Sequence, residues 1–448
     1  MLKNKKIFVL GMARSGYEAA KLLATDNEVL ITDMKEQDEE QVKTLQSMGV
    51  KYIISQNPID LLDDSFDLVV KNPGIKYNHP TVLKAKELNI PVINEVELAY
   101  KYLTGKANII GVTGSNGKTT TVTLIYNILK EAGKSVYLGG NIGTPLCNFV
   151  KYIKDDDFLV LEISDHQLCD MYEFKTNVSV LTNIFNVHTD FHDSHDRYKE
   201  IKKRIFNNHT ENDIAIINAD NKEAVDISED INSTKHYFSK NNKQNVYLNN
   251  NAIYFQDEKI IDCSKIKLKG LHNYENIMAV ISAVKVYNID NASICKVLEN
   301  FGGVEHRIEY VDTIDGVEYY NDSKSTNCDS TRIALNSFDK ATLLILGGLD
   351  RGHSFDDLTP YMRNVAYVAC YGETKARIKE YCNRTAVNCG VFDTLTQAIN
   401  ACYDKAQEGN VVLFSPACAS WDQYDNFEIR GDEFKKVVKK LKGGNNGI

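Results

Sequence analysis

Short, continuous apolar runs recur along the chain, and several of them lead through a turn into a helical pattern. Ile7–Leu10, Ile109–Val112 and Val411–Phe414 are such runs. A strand that is apolar throughout, without alternation, is typical of a parallel sheet whose two faces are both covered by helices. The chain is therefore predicted to have an α/β fold.

The length of 448 residues corresponds to about three domains at roughly 150 residues each. We expect a Rossmann-like N-terminal domain over residues 1–102 and a central α/β domain of P-loop type over residues 103–303. A C-terminal Rossmann-like α/β domain is expected over residues 304–448. The pair Gly302-Gly303 interrupts the pattern and marks the second of these boundaries.

The composition excludes several classes of protein. A formal net charge of -9 argues against binding of nucleic acid, which needs a basic surface. The 10 cysteines include no C-x-x-C pair, which favours free thiols in a reducing cytosol over disulfides or a zinc site. The apolar run Ile7–Leu10 is too short for a signal peptide, and no stretch approaches the ~20 apolar residues of a membrane span. We expect a cytoplasmic protein without nucleic-acid or membrane partners.

The glycine-rich stretch Thr113-Gly-Ser-Asn-Gly-Lys-Thr-Thr120 lies between a predicted strand and a predicted helix. A loop that feeds a helix N-terminus directs backbone N–H groups and the positive end of the helix dipole at one point, which favours an anion. Lys118 would reach the β- and γ-phosphates of a nucleotide, and the Thr119 hydroxyl would ligate Mg²⁺. The residues expected to bind ATP here are Gly114, Ser115, Asn116, Gly117, Lys118, Thr119 and Thr120.

The spacing of this stretch departs from the general P-loop. That motif places four residues between its first glycine and Gly-Lys, but Val112 occupies the first glycine position here and Gly114 lies closer to Gly117. The stretch is therefore a shorter variant. The alternative is an ordinary glycine turn before a helix.

A second loop, Gly11-x-Ala-x-Ser-Gly16, also follows a strand and opens a helix, and the acid Asp33 comes about twenty residues later. This pattern resembles a dinucleotide fingerprint, although Ala13 replaces the middle glycine. It predicts a cradle for nucleotide phosphates, with a tight βα turn as the alternative. The segment Lys71–Ile75 follows another strand end, where ligands gather in open α/β sheets.

Several side chains are candidates for metal chemistry. Glu162 ends a buried strand and suits Mg²⁺, although a capping or salt-bridged acid is an equal alternative. His188, Asp190 and His192 alternate after another strand and indicate either a polar pocket or a solvated loop. Lys202 lies on an amphipathic helix and, taken alone, is a surface lysine.

Taken together, these residues resemble the Mur ligases, the ADP-forming amide ligases that build the peptidoglycan stem peptide. The matching segments run the length of the chain in order: Thr113–Thr120, Leu271–Asn276, Glu305–Arg307, Tyr320–Asn327, Leu346–Gly352 and Ser415–Gln423. The last three segments resemble the branch that adds D-glutamate to UDP-N-acetylmuramoyl-L-alanine. The resemblance implies ATP, two Mg²⁺ ions, an acyl-phosphate intermediate and a monomeric enzyme.

The resemblance also implies residue roles. Catalytic roles fall on Lys118, Glu162, His188 and Lys202. The residues that it implies for metal binding are Thr119, Glu162, His188 and Lys202, the last as a carbamate formed with CO₂. Further contacts to ATP fall on Asn273, Arg307 and Lys324. The UDP-linked substrate would contact Arg14, Ser15, Asp33, Gly74 and Asn141, and D-glutamate would contact Thr326, Arg351, Ser420 and Phe427.

The chain departs from the family pattern in three places. The family segment Glu-x-Ser-Ser-x-Gln-Leu appears as Glu162-Ile-Ser-Asp-His-Gln-Leu168, which brings in Asp165 and His166. Val187 replaces an acid of a later motif. Arg351 replaces a lysine, which keeps the charge and adds a bidentate fork for a carboxylate.

Three other functions remain open at this point. One is a ligase of the same family that adds another amino acid, and another is folylpolyglutamate synthase, against which the loop at Gly11 argues. The third is a non-catalytic nucleotide-binding regulator. Retention of Lys118, Glu162, His188 and Lys202 together argues against the regulator.

Overall fold

The computed structural model describes residues 2–185 and 194–444. The chain divides between Phe301 and Gly302 into two compact units. The first unit carries a five-stranded and a nine-stranded sheet, and the second carries a six-stranded sheet. The predicted α/β fold built on three sheets is confirmed, while the borders at 102 and 303 stay predictions.

The first sheet is parallel and has the strand order β3-β2-β1-β4-β5. Its elements are β1 (Lys6–Leu10), α1 (Arg14–Leu23), β2 (Glu28–Asp33), α2 (Glu39–Ser47), β3 (Lys51–Ile54), β4 (Leu68–Lys71), α3 (Pro80–Glu87), β5 (Val92–Ile93) and α4 (Glu95–Tyr102). The chain order reverses between β1 and β4. Loops that follow the strands at such a point diverge and leave a crevice for a ligand.

The second sheet has the order β14-β13-β12-β11-β10-β9-β6-β8-β7. Its strands are β6 (Asn108–Thr113), β7 (Val136–Gly140), β8 (Phe158–Glu162), β9 (Val178–Leu181), β10 (Ile214–Asn218), β11 (Thr234–Ser239), β12 (Val246–Asn249), β13 (Ala252–Phe255) and β14 (Glu258–Asp262). Its helices are α5 (Lys118–Glu131), α6 (Leu146–Phe149), α7 (Asp165–Leu168), α8 (His195–Lys203), α9 (Lys222–Ile227), α10 (Leu271–Lys285) and α11 (Asn291–Asn300). Strands β12 and β13 pair antiparallel and form a hairpin.

The glycine-rich loop is anchored by the core of this second sheet. Strand β6 lies between β8 and β9 and pairs with both in parallel. Val122, Ile125 and Leu129 recur at helical spacing on α5 and share one apolar cluster with Ile277 and Ile281 on α10. Each such side chain stabilises the fold by roughly 1.5–3 kcal/mol when fully buried. The loop between β6 and α5 therefore has rigid elements on both sides.

The third sheet lies in the second unit and has the order β15-β16-β20-β17-β18-β19. Its elements are β15 (Glu309–Ile314), β16 (Val317–Asn321), α12 (Cys328–Leu335), β17 (Thr342–Gly347), β18 (Val365–Tyr371), α13 (Lys375–Arg384), β19 (Cys389–Val391), α14 (Leu395–Lys405), β20 (Val411–Phe414) and α15 (Phe427–Gly444). The order β19-β18-β17-β20 repeats the order β3-β2-β1-β4 of the first sheet. The point between β17 and β20 is thus a second place where a crevice for a ligand is expected.

Shorter elements complete the description. Turns of 3₁₀ helix lie at Pro58–Leu61, Val150–Tyr152, Arg204–Phe206 and Asp356–Asn364. The cysteines are free thiols. Among the described helices, none has the length and apolar character required to cross a bilayer.

Buried polar contacts join the first two sheets within the first unit. The Lys71 ammonium group at the end of β4 lies 2.6 Å from a carboxylate oxygen of Asp170, and both side chains are almost inaccessible to solvent. The Asn94 amide donates a hydrogen bond to the carbonyl oxygen of Gln167. The Glu97 carboxylate accepts the backbone N–H groups of Glu173 and Phe174 at 2.8 and 3.0 Å. Because buried charges need partners, these contacts hold the two sheets together.

We expect the substitution Lys71→Ala to lower the free energy of unfolding by about 3–5 kcal/mol, because it leaves the Asp170 carboxylate buried and unpaired. The double variant Lys71→Met, Asp170→Leu should recover most of that loss. Lys5→Ala is the control, since it removes an exposed partner of Asp67 that solvent screens. Urea denaturation measures all three variants, and equal losses for Lys71→Ala and Lys5→Ala would refute the anchoring role.

Candidate active site

Two glycines shape the loop between β6 and α5. Gly114 has φ +145° and Gly117 has φ +84°, a region that side chains rarely adopt. A Cβ atom on Gly114 would lie 2.0 Å from the Thr182 hydroxyl oxygen, and one on Gly117 would lie 2.1 Å from the Asn276 side-chain oxygen. Both backbone conformation and close packing therefore require glycine at these two positions.

The loop is also braced from the neighbouring strand β9. The Ser115 N–H donates to the backbone oxygen of Asn183, and the Asn116 N–H donates to the Asn183 side-chain oxygen, both at 2.9 Å. The Thr182 hydroxyl donates to the carbonyl oxygen of Asn116 at 2.6 Å. The amides of Ser115 and Asn116 thus hold the loop in shape. The first N–H groups of a helix lack acceptors within that helix, which makes the start of α5 a candidate anion site.

The Lys118 ammonium group lies against the same loop. Its Nζ atom donates to the carbonyl oxygens of Gly114 and Ser115 at 2.8 and 2.9 Å. The positive charge is therefore concentrated at the positive end of α5, where it reinforces the attraction for a phosphate.

Glu162 at the end of β8 connects this loop to a second one. The side chain is 2% exposed. One carboxylate oxygen accepts the Thr119 hydroxyl and the other accepts the Asn141 side-chain amide, each at 2.8 Å. Gly140, with φ +93°, lets the Asn141 N–H reach the Glu162 backbone oxygen at 2.8 Å. One buried carboxylate thereby links the start of α5 to the loop after β7.

Lys202 is fully buried, so the interpretation of this residue as a surface lysine is wrong. Its Nζ atom lies 3.1 Å from the Thr113 hydroxyl oxygen and 3.4 Å from a carboxylate oxygen of Asp165. Burial, and secondarily the positive charge of Lys118, lowers the pKa of Lys202 to about 7. The neutral, nucleophilic form of this amine is therefore favoured relative to that of an exposed lysine.

The four predicted residues Lys118, Thr119, Glu162 and Lys202 thus belong to one cluster around the ends of β6 and β8. The Thr119 hydroxyl and the Glu162 carboxylate are adjacent oxygen donors, the ligand type that Mg²⁺ prefers. The cluster therefore fits a magnesium ion. His188, Asp190, His192 and Val187 lie outside the described residues.

A cavity of about 370 Å³ opens between the loops that follow β1, β4 and β7. Four of the residues predicted for the UDP-linked substrate line it: Arg14, Ser15, Gly74 and Asn141. The Arg14 guanidinium donates to the backbone oxygen of Gly143 at 3.0 Å, and the Asn72 amide donates to the Ser15 hydroxyl at 3.2 Å. Asn141 also bonds to Glu162, so the cavity reaches the phosphate-loop cluster.

Asp33 has a different position from the other four. Its carboxylate accepts the backbone N–H groups of Met12 and Lys35 at 2.8 and 3.2 Å, so it braces the loop after β1. The described lining of the cavity does not include it.

The cavity is also lined by residues for which no binding role was predicted. These are Asn72, Glu95, His166 and Gln167, among others. Burial raises the pKa of Glu95 to about 7, although its carboxylate accepts the backbone N–H of Cys147. Asn72 lies within the strand-end segment that the sequence had marked, but Glu95 carries no comparable signal.

The first turns of α10 contribute a further unanticipated contact. The predicted ATP residue Asn273 donates its side-chain amide to the backbone oxygen of Lys269 at 2.8 Å. Asn276, one helical turn further, packs its side chain against Gly117. Asn276 is therefore the residue of this segment that touches the glycine-rich loop.

In the second unit, a fully buried arginine organises the loops after β16 and β20. Arg430 donates to the hydroxyl and backbone oxygens of Ser323 at 3.0 and 2.7 Å, and to the backbone oxygen of Cys418 at 3.0 Å. The Ser323 hydroxyl in turn donates to the backbone oxygen of Phe427 at 2.7 Å. Sequence reasoning missed Arg430, which has no motif of its own.

These loops carry the residues predicted for D-glutamate and for part of the ATP site. The Lys324 ammonium group lies 5.9 Å from the ring centre of Phe427, and the Arg351 guanidinium lies 4.8 Å from that of Trp421. Ser420 is buried, Thr326 is partly exposed and Arg307 is exposed. The N–H of Leu349 donates to the backbone oxygen of Ala419 at 2.9 Å, which pairs the loops after β17 and β20.

We expect Gly117→Ala to weaken ATP binding by about tenfold or more, because the new methyl group displaces Asn276 and the amides that open α5. Gly133→Ala is the matched control, since Gly133 has φ +72° but no atom within 4 Å of the new Cβ. Both variants should lose about 1–3 kcal/mol of stability from backbone strain. Calorimetric titration with ATP separates them, and equal affinities would contradict the assigned loop geometry.

Two family models match the chain. The Mur ligase middle domain matches residues 112–284. The glutamate ligase domain of the Mur ligases matches residues 306–418. The first match contains the phosphate-loop cluster. The second contains the loop after β16 and ends at Cys418, in the loop after β20.

Curated relatives extend the match to almost the full chain. A protein named UDP-N-acetylmuramoylalanine–D-glutamate ligase from Geobacillus sp. (strain WCH70) is 44% identical over 446 residues, which cover 98% of each chain. Proteins of the same name from Bacillus cereus (strain G9842) and Streptococcus thermophilus (strain ATCC BAA-491 / LMD-9) are each 42% identical, with 98% and 99% of both chains covered.

Solved structures show the same fold. The UDP-N-acetylmuramate-alanine ligase MurC from Thermotoga maritima matches with a TM-score of 0.59 at 19% identity, over 98% of this chain and 100% of that one. The MurF ligase from Thermotoga maritima in complex with ADP matches with a TM-score of 0.55 at 17% identity, over 98% and 96%. The resemblance found in the motifs is confirmed, and the chain belongs to the Mur ligase family.

Proposed function

We propose that this ligase joins D-glutamate to UDP-N-acetylmuramoyl-L-alanine and cleaves ATP to ADP and phosphate. The observation that carries the proposal is the position of Glu162 between Thr119 at the phosphate loop and Asn141 in the neighbouring cavity. A nucleotide bound at the loop and an acid bound in the cavity would meet at this carboxylate. The names of the relatives support D-glutamate as the amino acid.

The chemistry begins with activation of a carboxylate, which is a poor acylating agent because its leaving group is oxide. In the proposed first step, an oxygen of the L-alanine carboxylate forms a bond to the γ-phosphorus of ATP. The bond from that phosphorus to the bridging oxygen breaks, and ADP leaves with the electron pair. The D-glutamate amine then attacks the acyl carbon, inorganic phosphate departs, and the amine loses a proton to form the amide.

Two anions, the substrate carboxylate and the γ-phosphate, must approach each other in the first step. Lys118 neutralises part of this repulsion, because its ammonium group lies at the loop that would hold the γ-phosphate. The amides that open α5 add further positive potential. Ser115 and Asn116 contribute by holding the loop, and Thr120 lies in the first turn of α5.

Thr119, Glu162, His188 and a carbamate on Lys202 are the groups proposed to hold two magnesium ions. Bound Mg²⁺ supplies charge neutralisation at the phosphates. The hydrogen bond from Thr119 to Glu162 already places two of these oxygen atoms side by side. Such preorganisation lowers the cost of assembling the site.

The carbamate would form when the neutral Lys202 amine attacks the carbon of CO₂. A bond forms between Nζ and that carbon, one C–O π bond moves its electrons to oxygen, and the nitrogen loses a proton to solvent. The product is an anionic oxygen ligand in place of a cation. Burial of Lys202 and its pKa of about 7 both favour this reaction.

The remaining proposed contacts are with the UDP-linked substrate in the first unit, with D-glutamate in the second unit, and with ATP in both. Arg14, Ser15, Gly74 and Asn141 would bind the UDP-linked substrate in the 370 Å³ cavity, with Asp33 acting through the loop it braces. In the second unit, Thr326, Arg351, Ser420 and Phe427 would contact D-glutamate, and Arg307 and Lys324 would contact ATP. Asn273 would contact ATP from the first turn of α10.

Purified protein with ATP, Mg²⁺ and UDP-N-acetylmuramoyl-L-alanine should release phosphate at least about tenfold faster when D-glutamate is present, since the acyl phosphate needs the correct amine. L-Glutamate, L-alanine and a diamino acid are the comparison acceptors. A coupled assay for phosphate and ADP gives the rates. Equal stimulation by any of the three comparison acceptors would remove D-glutamate from the assignment.

Lys202→Ala should lower the turnover rate by about a hundredfold or more, because the site loses an anionic oxygen ligand. Short carboxylic acids such as acetate should restore part of the rate by occupying the vacated volume. Lys203→Ala is the control, because Lys203 is the next residue and pairs with the exposed Asp230. Failure of every short acid to restore the Lys202→Ala variant would count against the carbamate.

A further inference from the structure

Asp165 occupies a position where the family motif has serine, and its carboxylate lies next to the buried amine of Lys202. It is the first residue of α7 and is 4% exposed. One of its carboxylate oxygens lies 3.4 Å from the Lys202 Nζ atom. The Ser164 cap and its reciprocal bonds with Gln167 hold the start of α7, so the carboxylate is directed at Lys202 by the backbone.

The His166 Nδ1 atom lies 3.7 Å from the other carboxylate oxygen of Asp165 and adds a positive charge only when it is protonated. With His166 neutral, the charges of the described cluster balance only when Lys202 is a cation. Lys118 and Lys202 then contribute two positive charges, and Glu162 and Asp165 contribute two negative charges. Carbamylation of Lys202 replaces a positive charge with a negative one, which leaves three anions facing Lys118. In a buried site such an excess is strongly unfavourable unless another cation enters.

We propose that Asp165 couples carbamylation of Lys202 to binding of a divalent cation. In the cation-free enzyme the Asp165 carboxylate pairs with the Lys202 ammonium group and opposes its modification. When a divalent cation is bound, the same carboxylate is a further anionic group of the cation site, and the carbamate is then favoured. This inference rests on the proposed function, because it concerns the same lysine and the same cation.

The coupled step balances as one ammonium group plus CO₂ giving one carbamate anion and two protons, which solvent accepts. Because linkage is reciprocal, a cation that favours the carbamate must itself bind more tightly when CO₂ is present. A serine at residue 165 would remove one negative charge. With serine at this position, the carbamate on Lys202 would form without a bound divalent cation.

The test observes the carbamate directly, by ¹³C NMR of the full-length protein equilibrated with ¹³C-labelled bicarbonate, with and without Mg²⁺. In the unsubstituted protein the carbamylated fraction should rise about tenfold or more when Mg²⁺ is added, within the usual range of coupling between sites. In Asp165→Ser and in the isosteric Asp165→Asn it should change by less than about twofold. Lys202→Ala should lack the signal, which assigns it to that residue.

Asp213→Asn is the matched control, because Asp213 is also a buried carboxylate that lies within 2.8 Å of a lysine, Lys175, on the same sheet. This variant should keep the Mg²⁺ dependence of the unsubstituted protein. Circular dichroism and thermal unfolding establish that each variant is folded. Because Asp165→Asn keeps the size and shape of the side chain, it shows whether an effect of Asp165→Ser comes only from a local packing defect.

Three results would overturn the inference: a carbamylated fraction independent of Mg²⁺ in the unsubstituted protein, unchanged Mg²⁺ dependence in both Asp165 variants, or absence of a carbamate under every condition. Phosphate release stimulated by D-glutamate is measured on the same preparations. Activity without a carbamate would refute this inference and leave the ligase assignment standing. A Mg²⁺-dependent carbamate without D-glutamate-dependent activity would refute the ligase assignment and leave the coupling standing.

Discussion

A buried carboxylate is costly unless its oxygens have hydrogen-bond partners, and at Glu162 these partners come from two different loops. Thr119 approaches from the phosphate loop and Asn141 from the loop that borders the cavity. The two loops follow strands β6 and β7, which lie on either side of β8 in the sheet. The hydrogen bonds therefore fix the distance between the proposed nucleotide site and the proposed acid site. The rest of the catalytic account depends on this distance.

In the first and third sheets, a crevice is expected where the strand order reverses. In the first sheet the crevice lies between β1 and β4, and the loops after these strands line the 370 Å³ cavity. In the third sheet it lies between β17 and β20, and the loops after those strands pair through Leu349 and Ala419. The Arg430 guanidinium donates a hydrogen bond to the backbone oxygen of Cys418 in the loop after β20. Hydrogen bonds from a charged donor are stronger than neutral ones. The proposed binding sites at both ends of the chain thus share one arrangement of parallel strands.

Much of this fold could be predicted from the sequence, because buried parallel strands are continuous apolar runs. The bounds of β20 agree with the predicted run Val411–Phe414 to the residue, and β1 begins one residue before the predicted run Ile7–Leu10. Strands β3 and β15 were not predicted, since they lie at sheet edges, are largely half-exposed and carry polar residues such as Lys51 and Asp312. Edge strands lack the apolar signal on which the prediction depended.

The candidate site also contains some residues that the sequence could predict and others that it could not. Lys118 and Glu162 follow strand ends and carry local signals that a motif can reveal. The burial of Lys202 could not be predicted, because its partner Thr113 is 89 residues away along the chain. Arg430 and Ser323 are 107 residues apart, and only the folded chain brings them into contact. Contacts of this kind follow from packing between distant segments, which spacing within one segment does not encode.

The central claim is that one oxygen of the acid substrate is transferred to phosphate during ligation. The most direct measurement uses UDP-N-acetylmuramoyl-L-alanine labelled with ¹⁸O in its carboxylate, with mass analysis of the inorganic phosphate released in the presence of D-glutamate. The account predicts that each phosphate released with amide formation carries one oxygen atom from that carboxylate. Unlabelled phosphate formed in step with the amide product would contradict it.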